Sequence, residues 1–424
     1  MLTRRRFIAG SAGLSVAAAG FPAPAVGQAR PRIVIVGGGA GGATVLRRLA
    51  ERAGEALDVT LVEPQAVYTT CYYSNLYLGG FQPIEVFRHG FEQIARLPGV
   101  TLARDSAARV DRDGRRVVLA GGASLPYDRL VLSPGIDLDY GSVPGWSREA
   151  EERMPHAWKA GPQTELLKRR LDAVPDGGLV VVIAPPNPYR CPPGPYERVS
   201  MMAHTLASTG RAATRIVVLD PKDSFSKQPL FQQGWEKHYP GMIEWMPPAI
   251  HAGIRSVDPA TMTVETGFET YRNADLVNVI PRQTAGRIAA DAGLAADTGY
   301  CPIDPFSMAS RADPAVFVLG DAAIAGDMPK SAFAAGSQAR VVADAIARDL
   351  LGAVAPEAAY RNRCWSLIAT DDSVLVGGHY RPTAGKIEQV ESEISQLEDS
   401  AETRRANYED SAGWYAGLTA ELYG

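Results

Sequence analysis

Cysteine is scarce in this chain. Only Cys71, Cys191, Cys301 and Cys364 occur among 424 residues, too few and too scattered for a disulfide framework; one bridge with a chemical task is the most they sustain. None belongs to a C-x-x-C-H, which excludes a c-type haem on this polypeptide. No C-x-x-x-x-C occurs either, which counts against a nicotinamide-dependent disulfide reductase or ferredoxin reductase. The six histidines (His89, His156, His204, His238, His251 and His379) show no metal-ligand spacing, so no metal site is expected. An excess of positive charge is also missing. The formal net charge is -4, and near -7 without the first 29 residues, which carry Arg4, Arg5 and Arg6 and no acid. With no basic stripe, a nucleic-acid partner is excluded. After residue 30 no apolar run is long enough to cross a membrane, so no integral anchor is expected.

What is present begins with a targeting signal. "TRRRFIAGSAGLSVAAAGFPAPAVGQA" has a twin arginine, Phe7, a weakly apolar small-residue stretch and small residues before Arg30. Residues 1–29 read as a twin-arginine export signal, which places the mature chain in a bacterial periplasm. That compartment permits disulfides. Beyond it, a chain of this length with 46% hydrophobic residues buries an ample core.

The body alternates strand and helix. "RIVIV" (32–36) is a β-branched run, "GGGAGGATVLRRLAER" a turn and helix, and "DVTLVEP" a second strand, together a βαβ unit. "RLVLSPG" near 129–135 is a further strand, and 136–155 reads as a connection. A second βαβ-like unit starts at "GGLVVVIAP" and runs through a helix at 196–209 to "TRIVVLDP". "AVFVLGDAA" is a strand entering a Gly-Asp turn, followed by the small-residue helix "KSAFAAGSQARVVADAIARDLL". From Ala353 no βαβ pattern remains, and the charged end reads as surface structure or helix, with Trp414, Tyr415 and Tyr423 as scattered aromatics.

Three motifs carry chemistry. Gly37-x-Gly39-x-x-Gly42 lies between a strand and a helix, and Glu63 ends the next strand 21 residues after Gly42. Such glycines let backbone approach a pyrophosphate at a helix N-terminus, and the acid accepts from ribose hydroxyls. Gly320-Asp321 after "VFVL" suits a contact to a flavin's ribityl chain or pyrophosphate, or an N-cap. The two motifs together favour FAD over NAD, and a helix starting near Lys330 directs its positive end toward the flavin pyrimidine ring. The third stretch, "NPYRCPPGPYER" (187–198), stands where a nicotinamide site needs glycines. Pro185, Pro186 and Pro188 remove the N–H donors that a phosphate requires. The second module is therefore expected to be scaffold, with Cys191 at the strand-end crevice as replacement reactivity. A lone cysteine is more often inert, but this setting and an oxidising compartment favour redox use. A disulfide above a flavin accepts a soft nucleophile such as sulfide.

At these residues the chain resembles the flavoprotein subunit of flavocytochrome c sulfide dehydrogenase. The resemblance is carried by "GGGAGGATV", "VEPQAVYTTCYYSNLYLGG", "MPHAWKAGPQTELLKRRL", "RCPPGPYER", "FSKQPLFQQGWEKHY" and "LGDAAIAGDMPKSAFAAGSQA", from about residue 30 onward. It implies an α/β, glutathione-reductase-like flavoprotein with two dinucleotide-binding-type domains and a C-terminal interface domain. The expected division is an FAD domain at 30–150 and 276–352, a second nucleotide-fold domain at 151–275 and an interface domain at 353–424. The resemblance further implies FAD joined covalently to Cys71, in the "TTCY" context. It implies a redox disulfide between Cys191 and Cys364, whereas spacing alone leaves Cys301 and Cys364 open as partners. It also implies a c-type cytochrome partner that carries the haem. Glu197, six residues after Cys191, suits a proton acceptor for the sulfur chemistry and equally a first-turn carboxylate on a helix.

The expected activity is oxidation of sulfide to zero-valent sulfur or polysulfide, with electrons passed through FAD to the cytochrome. The nearest rival is a sulfide:quinone oxidoreductase, which needs an amphipathic, basic membrane-docking tail; the tail here is acidic and polar.

Overall fold

The computed structural model describes residues 30–424; the expected export signal lies outside the described residues. Its first sheet is built on "RIVIV". Arg32–Val36 pairs in parallel with Asp58–Val62 on one side and Arg129–Leu132 on the other. Four of its five residues are buried, as a β-branched run covered on both faces requires. The six strands run in the order Ala309–Ser310, Asp313–Val318, Arg129–Leu132, Arg32–Val36, Asp58–Val62, Val100–Ala103. Only the edge pair Ala309–Ser310 with Asp313–Val318 is antiparallel. A sheet begun at residue 32 is thus completed by residues beyond 300, which brings Gly320 and Asp321 beside the first glycine turn. Helices Ala40–Ala53 and Ala332–Leu351 pack against each other.

The second sheet is all parallel, in the order Ile243–Met246, Arg215–Leu219, Leu179–Ile183, Leu276–Val279. Its helix, Gly194–Ser208, starts two residues before the expected 196. The stretch read as a connection after residue 135 contains the strand Ile136–Leu138, paired antiparallel with Gln283–Ala285; three residues are too few to show alternation.

The C-terminal segment forms an antiparallel sheet of Tyr360–Ala369, Asp372–Pro382 and Ile387–Ile394, then the helix Ala401–Tyr423. The Ser400 hydroxyl caps that helix by accepting from Thr403 N. One apolar cluster ties this sheet to the second module, where Leu367, Ile368 and Val374 are buried with Phe231 and Trp235. Each such aliphatic side chain contributes about 1.5–3 kcal/mol. A Cβ on Gly234 would lie 2.6 Å from Ile368 Cγ2, so the close approach depends on glycine. This packing sets the strand carrying Cys364 against the second module.

Candidate active site

A cavity of about 450 Å³ lies where these parts meet. That is within the usual range for a ligand pocket.

One wall is the first glycine turn. Gly37 has φ +99°, and a Cβ there would sit 2.4 Å from Ser133 O. Gly39 is the N-cap of helix Ala40–Ala53, and no side chain caps that end. Gly42 does not reach the cavity; its Cβ would lie 1.9 Å from Gly37 O, so it permits the helix to sit tightly on the turn. Glu63 lines the cavity, with Oε2 accepting from Gly38 N at 2.9 Å and Oε1 from Gln65 N at 3.0 Å. These bonds fix the carboxylate while leaving lone pairs for a ribose diol. Across the cavity, Gly320 (φ +69°) donates its N–H to Gln338 Oε1 at 2.8 Å, and Asp321 faces inward. The helix Ala332–Leu351 begins there, with Ser331 as its cap and Ser331, Ala332 and Phe333 on the lining. A side-chain-free cradle at one helix end, a fixed acid beside it and a second helix N-terminus opposite fit FAD.

The helix expected near Lys330 begins at Ala332 with its N-terminus at the cavity, but Lys330 itself, a candidate cofactor-binding residue, is absent from the lining. Its ammonium turns away from the cavity, donates to Asp321 O at 2.8 Å and Ala323 O at 2.7 Å, and lies 3.8 Å over the Tyr300 ring. The two carbonyls and the ring draw the charge inward, where it staples the Gly-Asp turn. Burial lowers its pKa to about 8. What Lys330 supplies to the site is backbone: its carbonyl accepts from Cys191 N at 2.7 Å.

Cys71, Cys191 and Cys364 all line this one cavity. Burial pushes the Cys71 thiol up. Cys191 adopts φ +56°, held by that bond to Lys330 and by donation from Gly194 N to its own carbonyl at 2.8 Å. A Cβ on Gly194 would lie 2.9 Å from Cys191 Sγ, so glycine makes the room for the sulfur. Cys364 stands opposite Val376 in the C-terminal sheet. All four cysteines are free thiols in this structure, and the thiols of Cys191 and Cys364 face the same cavity and perturb each other's ionisation. The neighbouring Cys364 and burial push the Cys191 thiol well up, whereas the neighbouring Cys191 and the nearby Lys227 charge pull the Cys364 thiol down. Lys227 is buried and donates to Cys364 O at 3.1 Å, Ser366 Oγ at 2.9 Å and Val374 O at 3.0 Å. Cys301, the alternative partner, is fully buried in the first core, with its thiol pushed up to about 11 by burial.

Glu197 sits in the first turn of helix Gly194–Ser208 and lines the cavity. It accepts from Asn75 Nδ2 at 2.8 Å and from Leu367 N at 3.0 Å, yet burial still raises its pKa. The sequence reading did not single out Arg190 and Arg198, the neighbours of Cys191 and Glu197, which also line the cavity. Arg190 pairs with Asp321 at 3.5 Å. Nor did it place the last helix here. Tyr423 OH donates to Gly38 O at 3.0 Å, and Tyr415 OH donates to Val86 O at 3.0 Å and lies 2.9 Å from Thr70 Oγ1. The buried positions Arg404, Ser411, Tyr415, Thr419, Leu422 and Tyr423 recur at helical spacing, which is the signal that marks them as an inward face.

Comparison with known proteins agrees with this geometry. Residues 31–171 match the family model of pyridine nucleotide-disulphide oxidoreductases. Residues 164–281 match the central region of the sulfide dehydrogenase [flavocytochrome c] flavoprotein chain, and 356–423 the flavin-binding region of flavocytochrome c sulphide dehydrogenase. A 44-residue stretch is 46% identical to the sulfide dehydrogenase [flavocytochrome c] flavoprotein chain of Chlorobaculum thiosulfatiphilum, covering 10% of this chain and 90% of that sequence. The mouse mitochondrial sulfide:quinone oxidoreductase is 22% identical over 68% of this chain, which spans 65% of its length. A probable ferredoxin reductase of Castellaniella defragrans is 27% identical over 69% of this chain and 68% of its own. Among solved structures, the sulfide:quinone oxidoreductase of Aquifex aeolicus superposes with a TM-score of 0.72 at 16% identity, covering 93% of this chain and 91% of that one. Putidaredoxin reductase in its putidaredoxin complex gives 0.65 at 19% identity, covering 93% and 99%. Both share the α/β flavoprotein fold.

Proposed function

Because this chain belongs to the family of flavocytochrome c sulfide dehydrogenase flavoprotein chains, we propose that it oxidises sulfide to zero-valent sulfur or polysulfide and passes the electrons to a c-type cytochrome. The observation that carries the reading is the meeting of Cys191 and Cys364 in the cavity that also holds the glycine turn, Glu63 and Cys71. FAD, when bound, supplies a two-electron acceptor that also delivers electrons singly. Gly37, Gly39, Glu63, Gly320 and Asp321 would hold it, and Cys71, on the same cavity lining, would be its covalent attachment. Gly42 contributes by packing alone.

The chain's own chemistry starts from a Cys191–Cys364 disulfide. Hydrosulfide attacks one sulfur, an S–S bond forms there, and the old S–S bond breaks with its electron pair leaving on the other cysteine. The thiolate that leaves fastest is the better stabilised one. The Lys227 charge favours Cys364 in that place, so the persulfide forms on Cys191. Glu197, its pKa raised by burial, takes the persulfide proton. The haem that receives the electrons lies on a partner polypeptide, since no C-x-x-C-H occurs here. Export through the twin-arginine route to the periplasm belongs to the same proposal, and cell fractionation tests it.

The structural likeness to sulfide:quinone oxidoreductase supports a second reading, in which quinone is the acceptor. Among the described residues no helix is long and apolar enough to cross a membrane, and the last helix carries charge around its exposed surface. Sulfide-dependent reduction of a soluble c-type cytochrome, run in parallel with decylubiquinone in detergent, separates the two. Preference for cytochrome is expected; reduction of quinone alone overturns the proposal. Flavin that stays on the chain after acid denaturation, and is released from Cys71→Ala, is the expected sign of covalent attachment.

A further inference from the structure

Arg198 is a buried cation with no acid of its own. Only 3% of it is exposed. Its guanidinium donates to His156 O at 2.8 Å, Ala157 O at 2.6 Å, and Asn278 Oδ1 and Asn75 Oδ1 at 3.3 Å each. All four acceptors are neutral. The guanidinium lies 4.8 Å over the Trp158 ring, and the cavity is the remaining side it faces. Its neighbour Arg190 is different, because it has an ion-pair partner in Asp321.

The charges around Arg198 compensate it only in part. Glu197 is the nearest acid and acts on Arg198 through space, but it makes no ion pair with it: its carboxylate is bonded to Asn75 Nδ2 and Leu367 N and shares the field of Lys227. The Cys191 thiol is pushed up toward its neutral form. Arg190 adds like charge, and His156 is driven to about 3 by burial and so is neutral. Burial pulls Arg198 itself down to about 9. A desolvated charge whose hydrogen-bond acceptors are all neutral is unfavourable, and an anion in the cavity relieves it. Arg198 offers five N–H donors in a rigid fork, of which four are spent on these acceptors.

We propose that Arg198 seats the substrate as an anion: sulfur enters beside Cys191 as hydrosulfide, not as neutral H₂S. The inference rests on the sulfide-oxidising reading above and adds the protonation state that the site selects. It fits the attack step, because hydrosulfide brings the nucleophilic lone pair and leaves one proton, on the persulfide, for Glu197. It also makes the cavity a site for small soft monoanions in general.

Thiocyanate is a non-reducing probe of that class. With FAD-loaded full-length protein at constant ionic strength, thiocyanate is expected to compete with sulfide. In Arg198→Gln its inhibition constant and the sulfide KM both rise at least about tenfold, the scale of a lost charged hydrogen bond, while kcat changes less. Arg198→Lys keeps the charge and retains the inhibition. An FAD-loaded Arg198→Gln with unchanged KM and thiocyanate inhibition overturns the proposal. If that variant does not load FAD, Arg198→Lys decides: retained inhibition supports the anion seat and complete loss contradicts it. Thiocyanate binding is also read without turnover, from its perturbation of the oxidised flavin spectrum. If sulfide fails to reduce the wild-type flavin, the sulfide reading falls, while this spectral titration still reports on Arg198.

Discussion

The chain contains two βαβ modules laid out in the same register, and they have diverged at the same two positions. In the first, Val36 pairs with Val62 and Glu63 follows; in the second, Ile183 pairs with Leu219 and Asp220 follows. After the first strand the first module turns through Gly37, Gly38 and Gly39. The second turns through Pro185, Pro186, Asn187 and Pro188. Glu63 lines the cavity and its bonds are to backbone N–H groups. Asp220 is fully buried and accepts from Tyr196 OH and from Trp245 Nε1 at 2.9 Å, with Lys222 at 2.6 Å. Lys222 also donates to Pro185 O at 2.6 Å, tying the acid to the proline turn. Where Glu63 faces the cavity, the acid at the corresponding position of the second module is an internal tie, and Cys191 is among the residues after that module's first strand that line the cavity. A nucleotide module survives the loss of its nucleotide when each freed polar group finds an internal partner.

This contrast can be broken at several points. Gly42→Val has the largest expected effect. Its side chain collides with Gly37 O, and overpacking against backbone costs about 1–3 kcal/mol or more; purified protein is expected to carry little FAD, measured as the flavin-to-protein absorbance ratio. Pro186→Gly in the second module is expected to create no NADH reactivity, because Asp220 stays sequestered. The two acids form the next pair. Glu63→Gln is expected to weaken FAD retention about tenfold with a small change in melting temperature, provided Cys71 is also replaced so that dissociation is visible. Asp220→Asn is expected to leave FAD loading intact and lower stability by about 1–3 kcal/mol, the cost of disturbing a buried polar network, measured by denaturant unfolding.

A third test uses pH. Burial raises the pKa of Glu197, so its working, deprotonated form is lost at a higher pH than for an ordinary carboxylate. At saturating hydrosulfide, kcat is expected to fall as pH drops through that raised value, and this limb of kcat is expected to vanish in Glu197→Gln, while the limb set by protonation of the substrate itself remains in kcat/KM. The smallest effect is expected from Tyr423→Phe, which removes one hydrogen bond to Gly38 O. The loss is about 0.5–1.5 kcal/mol, seen as a few-fold faster release of FAD in the Cys71-free background.

How far the sequence alone carries varies with distance along the chain. The first glycine turn, Glu63 and the missing second turn are local patterns, and each reads directly from spacing and residue type. Cys191 was legible because the prolines around it removed the alternative. That Cys364 lines the same cavity was not legible from spacing, because it depends on the packing of Leu367 and Ile368 against the second module. Lys330 was misread for a related reason: its position in the chain adjoins the cavity, but two carbonyls and the Tyr300 ring take its ammonium elsewhere. Tyr415 and Tyr423 looked like stray aromatics until the last helix folded back on residues 38–89. Asp220 resembles Glu63 in sequence position, and only its partners distinguish a tie from a ligand.

The most direct test is anaerobic titration of the oxidised, FAD-loaded protein with sulfide and, separately, with NADH, following the flavin's visible absorbance. Near-stoichiometric bleaching by sulfide, none by NADH, and a fall of at least about 10³-fold in the sulfide rate in Cys191→Ser are the predicted results. Bleaching by NADH with indifference to sulfide would show that the second module still holds a nicotinamide, and would contradict the account.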